Sequence, residues 1–180
     1  MYKRQGDPIP NVTDNIAWEN LSTGAYCYYK NDTANIRIFG MLYNWFAVND
    51  SRNIAPAGWH IPTDTEWSAL RSWLGGELVA GGKLKSKSTF NIVDFNLPPT
   101  QNWESPNTGA SNTVGFTALP GGYRYYGAVY GAVEYASYWW SSTQYDAGTA
   151  WSRHISNTST ELFTGYIDNT LGFSVRCIKD

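Results

Sequence analysis

Three hydrophobic patterns run along this chain, and each marks a different kind of element. Residues 1–23 are mostly polar, carry Pro8 and Pro10, and read as an extended lead-in. Residues 24–29 alternate small or polar with aromatic side chains, as a first strand would, and Asn31-Asp32 offers a turn. Phe39, Leu42, Tyr43 and Phe46 stand at i, i+3, i+4 and i+7, which predicts a buried helix starting near Phe39. After a loop over 49–58 a second helix is well marked. Thr63 and Glu66 have capping-box spacing, Asp64 favours the positive helix N-terminus, and Trp67, Leu70 and Leu74 supply the apolar face before Gly75-Gly76 stops it.

From Glu77 to Asn112 no period is visible, and Gly81-Gly82 and Pro98-Pro99 point to irregular chain. Beyond it lie short strands over 114–119, 137–143, 149–156 and 172–178. In the third of these, period two puts Trp151, Arg153 and Ile155 on the core face and Ser152, His154 and Ser156 outward. Arg153 on a core face calls for a buried partner that the sequence does not name.

At 180 residues the chain has the length of one domain with a real core. Nine Trp and an aromatic share of 16%, set among Asn, Ser, Thr and Gly, describe a loop-rich domain held by bulky rings. The densest stretch is 115–143, where rings, glycines and small residues surround one acid, Glu134, and one base, Arg124. Charges are few and scattered around a net of −2, which argues against nucleic acid as a partner. No apolar run approaches the ~20 residues that cross a bilayer. The basic start of residues 1–15 has no apolar core behind it, so it does not read as a secretory signal.

Candidate chemistry is thin. His60 reads as a loop hydrogen-bonder and His154 lies among Ser and Thr, with no carboxylate beside it in sequence. Glu104-Ser-Pro-Asn107 resembles a calcium-lectin loop, but an extra Ser interrupts it and no second acidic loop completes the oxygen ligands calcium takes, so it reads as a turn. Lys83, Lys85 and Lys87 read as a solvated face, since no glycine or aromatic cradle accompanies them. Cys27 and Cys177 stand near the two ends; a disulfide between them and two separate buried thiols both remain open. No cofactor or metal is implied.

Five ordered motifs, at 40–48, 57–67, 115–124, 138–143 and 172–177, together resemble the Fibrobacter succinogenes major paralogous domain. That resemblance implies an α+β, C-type lectin-like fold over 24–180 as a single domain, in the branch that holds the formylglycine-generating enzyme. Two helices would pack on small twisted antiparallel sheets with long structured loops, the terminal strands would pair and bring Cys27 and Cys177 together, and Phe116, Leu119, Trp139 and Trp140 would be core. Neither cysteine matches the reactive pair of the enzymatic branch, so a non-enzymatic binding role is expected.

Proteins of this fold branch include variable proteins of diversity-generating retroelements, in which adenines of Asn codons are randomised. Residues reachable that way include Tyr125, Tyr126, Tyr130, Tyr135, Tyr145, Ser152, His154, Ser156, Asn157, Ser159 and Tyr166, the expected ligand surface. Glu134, Gln144, Glu161 and the tryptophans are not reachable and would be scaffold. A Tyr-rich surface without calcium loops suits broad contact, so a protein ligand met from a cell surface or secreted position is expected, with a carbohydrate as the alternative. Trp103, Trp139 and Trp140 would then be the sugar-stacking platforms.

Overall fold

The computed structural model describes residues 6–87, 89–90 and 102–180; residues 1–5 of the lead-in and Pro98-Pro99 lie outside them. The rest of the lead-in is not simply extended. Asn15–Glu19 form a short helix (α1) capped by the Asp14 carboxylate, which accepts from the Ala17 N–H. Ile9 and Trp18 are buried, and the Trp18 Nε1–H donates to the Thr170 carbonyl at 2.8 Å. A single buried indole thus ties a polar segment to the far end of the chain.

Tyr26–Cys27 (β1) pairs antiparallel with Leu42–Tyr43 (β2), and between them Ile36–Phe39 (α2) makes one turn that stops at Gly40, φ 78°. Trp45–Val48 (α3) follows β2. The continuous helix expected from Phe39 is therefore replaced by turn, strand and turn. The cause is Asn44: its amide oxygen accepts from Ala25 N and Ala47 N, and its NH2 donates to the Thr23 carbonyl. The same side chain caps α3 and holds the 23–25 backbone beside it.

Trp59–His60 (β3) leads into Asp64–Trp73 (α4), where both halves of the Thr63/Glu66 capping box form. Gly75 and Gly76 end it at φ 98° and 100°. A further helix follows at once, Glu77–Leu84 (α5), in the stretch whose glycines suggest irregular chain.

Lys85, just past α5, is fully buried rather than part of a solvated face. Its ammonium donates to the Ser156 and Ser159 carbonyls at 2.9 Å and lies 5.6 Å from the Trp103 ring centre. Burial pushes its pKa down to about 8, against about 10.4 in an unfolded chain. Between those values the unfolded chain holds the proton more tightly, so stability rises with pH through that window. Denaturant midpoints at about pH 7.5 and about pH 9.5 should climb more in the native protein than in Lys85→Met. Equal climbs would show that the amine is not desolvated.

Thr89–Phe90 (β4) pairs in parallel with Trp103–Glu104 (β5). The main sheet comprises Gly121–Arg124 (β6), Tyr130–Val133 (β7), Ala136–Gln144 (β8), Thr149–Ser156 (β9) and Phe163–Asp168 (β10), in the order β10-β9-β8-β6-β7. β6 runs parallel to β8 and the other neighbours are antiparallel, so the sheet is mixed and not purely antiparallel. The strand expected over 114–119 reduces to one bridge between Ala118 and Lys85.

Period two along β8 sends Trp139 and Trp140 to opposite faces, and each is the centre of a core. Trp139 packs with Trp67, Leu84, Trp103, Ile155 and Leu162 under α4 and α5. Trp140 packs with Trp45, Ile61, Ala150, Leu171 and Phe173. Phe116 lies half-buried against Trp67 and Trp139, and Leu119 is half-buried as well. Arg153, fully buried on the first face, finds its partner in Asp64: Nη2 donates to Oδ1 at 2.6 Å.

The terminal strands do not pair with each other. Ile178–Lys179 (β11) pairs with β3, while β1 pairs with β2. Cys27 therefore sits with Trp18 and Leu42, Cys177 sits against the Trp140 core, and both thiols are free. Cys27 is buried and Cys177 half-buried.

Candidate functional site

The registers divide the expected ligand residues between the two faces of the sheet. Tyr138, His154 and Phe163 lie abreast on β8, β9 and β10. Trp151 and Tyr166 are also cross-strand partners, but their odd offset from His154 puts them on the other face.

On the first of these faces the rings form a continuous row. Tyr126 meets Tyr125 edge-on at 4.6 Å between centres, Tyr125 meets Tyr123 at 5.6 Å, and Tyr123 meets Tyr138 at 5.1 Å. Tyr138 stacks on His154 at 5.0 Å, and His154 stacks on Phe163 at 4.5 Å. Offset and T-shaped contacts of this kind are the favoured arrangements for aromatic pairs. Tyr125 and Tyr126 are 40% and 48% exposed, while the row's middle is half-buried, so contacts within the protein hold the exposed end.

Burial lowers the pKa of His154, and the neutral imidazole is the form that stacks between its two neighbours. Burial, then the nearby Asp168 charge, raises Tyr126, and burial raises Tyr138, so the phenols stay protonated donors at neutral pH. In the middle of β10, a side chain at Gly165 would meet open space, leaving backbone accessible between Phe163 and Ile167. Ser152 lies under it, buried, with its hydroxyl donating to the Gly165 carbonyl at 3.3 Å.

The second face carries a smaller group. Tyr145 and Tyr166 stack at 3.8 Å between centres, both exposed, with Trp151 edge-on to each. Tyr135 is exposed in the turn between β7 and β8.

The remaining expected residues serve the scaffold. Tyr130 packs edge-on to Tyr29, lies 5.2 Å from the Arg124 guanidinium, and donates to Asn31 Oδ1. Ser152 and Asn157 are buried rather than outward, with the Asn157 amide donating to the Ser105 carbonyl. Ser159 accepts from the Glu161 N–H in a turn, and Ser156 is half-buried beside β8. Each face of β9 is partly covered, Ile155 entering one core and Ala150 the other, while His154 and Trp151 stay half-buried on opposite faces. A solvent face cannot be assigned from period two in such a strand.

Tyr123, Tyr138 and Phe163 are members of the row that sequence reasoning passed over. Tyr123 stands two residues before Tyr125, so strand period alone places them together.

Trp103, Trp139 and Trp140 are buried, which removes them as sugar-stacking platforms. Among the described residues no group of His, Cys, Asp and Glu is arranged to hold a metal. Burial pushes both thiols up, away from the low pKa a nucleophilic cysteine needs. His60 bonds Glu66 at 2.8 Å and Asp180 at 2.6 Å, which pins β3 to the end of β11. No described helix is long and apolar enough to cross a membrane.

The chain is thus an α+β protein with rings set on both faces of its main sheet. It belongs to the Fibrobacter succinogenes major domain family, whose model matches residues 1–179. No curated protein and no solved structure matches it.

Proposed function

We propose that the chain is a non-enzymatic binding module of C-type lectin-like fold, displayed on a cell surface or a phage-like particle. Its ligand surface is the ring row that ends in Tyr125 and Tyr126, used as in the variable proteins of diversity-generating retroelements. The observation that carries this reading is the row itself: exposed tyrosines braced by half-buried rings. Tyr gives large amphipathic contact at small entropic cost, the device of antibody paratopes, and it suits a protein ligand. Glu134 stands in the turn before β8 at φ 70°, and the Glu161 backbone packs against α5, which places both at structured positions of the scaffold.

If the row is a display surface, its exposed end is not needed for folding. The double variant Tyr125→Ser/Tyr126→Ser should stay folded and lose no more than about 2 kcal/mol by chemical denaturation, about the worth of its two ring contacts. A phage library randomised at Tyr125, Tyr126 and Tyr135 should fold and yield binders to protein targets. Collapse of the double variant, or a folded library without binders, would sink the reading. The retroelement part is tested separately, by a reverse transcriptase gene and an imperfect template repeat near the coding region. Their absence removes that part and leaves the binding module.

A further inference from the structure

Arg176 stands at the junction of two cavities on the helix side of the sheet, away from the Tyr125–Tyr126 row. One cavity, about 300 Å³, is walled by Trp59, Pro62, Leu70, Phe116 and Ile178 and is almost wholly apolar. The other, about 320 Å³, is polar and takes Arg37, Ser137 and Ser174 into its lining. Arg176 belongs to both. Each is at the small end of the range for small-molecule pockets, and together they pair an apolar body with a few polar groups.

The polar groups here are only partly satisfied among the described residues. The Arg176 guanidinium lies 4.9 Å from the Phe116 ring centre, and only its Nη2 reaches acceptors, the Phe116 and Thr117 carbonyls, both at the long distance of 3.3 Å. Among the described residues no carboxylate pairs with Arg176 or Arg37. Glu66, an acid in the lining of the apolar cavity, is already used by His60 and by the Thr63 N–H and hydroxyl. Ser137 is buried, and its hydroxyl makes no hydrogen bond among the described residues. An arginine offers five N–H donors in a fork that fits a carboxylate.

We propose that this double cavity binds a small aromatic carboxylate, with the ring in the Trp59–Phe116–Ile178 chamber and the carboxylate on Arg176, supported by Arg37 and Ser137. The apolar chamber supplies burial and the guanidinium fork supplies selection for the anion. A neutral ligand of the same shape would leave the fork as it stands and gain only the burial.

The test is a titration of the ¹⁵N-labelled protein with 3-phenylpropionate and, separately, with the neutral 3-phenylpropionamide. The acid should shift the Trp59 and Trp67 indole N–H signals and the Arg176 Nε–H, and should bind about tenfold more tightly than the amide. Arg176→Gln should erase that preference. Arg37→Gln, at an exposed position with no partner to lose among the described residues, should weaken acid binding several-fold without disturbing the fold, which keeps the test decisive if Arg176→Gln fails to fold. Tyr125→Ser/Tyr126→Ser should leave acid binding unchanged. No shifts at millimolar acid, equal affinity for acid and amide, or shifts confined to Tyr125 and Tyr126 would each overturn the site.

Discussion

Replacing Arg124 by alanine is expected to cost about 4 kcal/mol of folding stability, from the loss of buried hydrogen bonds and the cavity left behind. Arg124 is fully buried in β6 and has no carboxylate partner among the described residues. Its charge is met by backbone. Nη1 donates to the Val12 carbonyl at 2.8 Å, and Nη2 donates to the Thr13 and Asp14 carbonyls and to Asn15 Oδ1 at 3.2–3.3 Å. Trp18 lies against it, 4.3 Å from the guanidinium carbon to the ring centre. One side chain thus fixes the N-terminal segment to the main sheet. Arg124→Met, which keeps volume and loses the bonds, should cost about half as much. In both variants amide exchange over residues 12–20 should accelerate before that of β8 and β9 does. A cost under about 1 kcal/mol for the alanine variant would mean that the segment is held by Trp18 alone.

That anchor explains why the first 23 residues are hard to read. A lone Trp18 in a polar stretch carries no period, and what folds it is Arg124, more than a hundred residues away. Elements with local causes are legible: α4 follows from its capping box and double glycine, and β8 and β9 follow from apolar runs bounded by turns. The mistaken helix at Phe39 shows the opposite. Its spacing fits period 3.6 by coincidence: Leu42 and Tyr43 enter two different clusters, Trp45 and Val48 enter a third, and Asn44 joins the strand to the turn that follows. Lys85 fails for the reason that also hid the Arg153 partner: a buried charge is recognised by what surrounds it, and those partners come from distant segments.

For the candidate site, composition locates the rings but not their sides. Tyr125 and Tyr126 stand out as aromatic residues in a turn-rich stretch, and they are exposed. Tyr145 and Tyr166 look identical in sequence yet belong to the opposite face, because the parity that separates them from His154 follows from the β9–β10 register. Tyr130 is equally reachable by codon and equally aromatic. Only the position of Asn31 and Arg124 around it shows that it belongs to the scaffold.

Gly81→Ala sets two known effects against each other, and their sizes decide the outcome. In a helix interior such as that of α5, glycine is worse than alanine by about 1 kcal/mol, so propensity alone predicts a more stable protein. Packing predicts the reverse. A Cβ at Gly81 would collide with the Glu161 carbonyl group and also crowd Ile155 Cγ2 at 3.0 Å. The obstacle is backbone that is held from both ends. The Leu162 N–H donates to the Glu77 carbonyl, and the Gly82 N–H donates to the Thr160 carbonyl, both at 3.0 Å. Gly82 is pressed in the same way against the Gly109 carbonyl, so α5 cannot slide away. Overpacking of a core costs about 1–3 kcal/mol, and rigid backbone contacts lie at the upper end. Gly81→Ala should therefore lose about 2 kcal/mol net by chemical denaturation. If the variant were instead stabilised, the close approach of α5 to the 160–162 segment would be wrong. The glycine pair that makes this stretch look irregular in sequence is what allows a helix to lie directly on backbone.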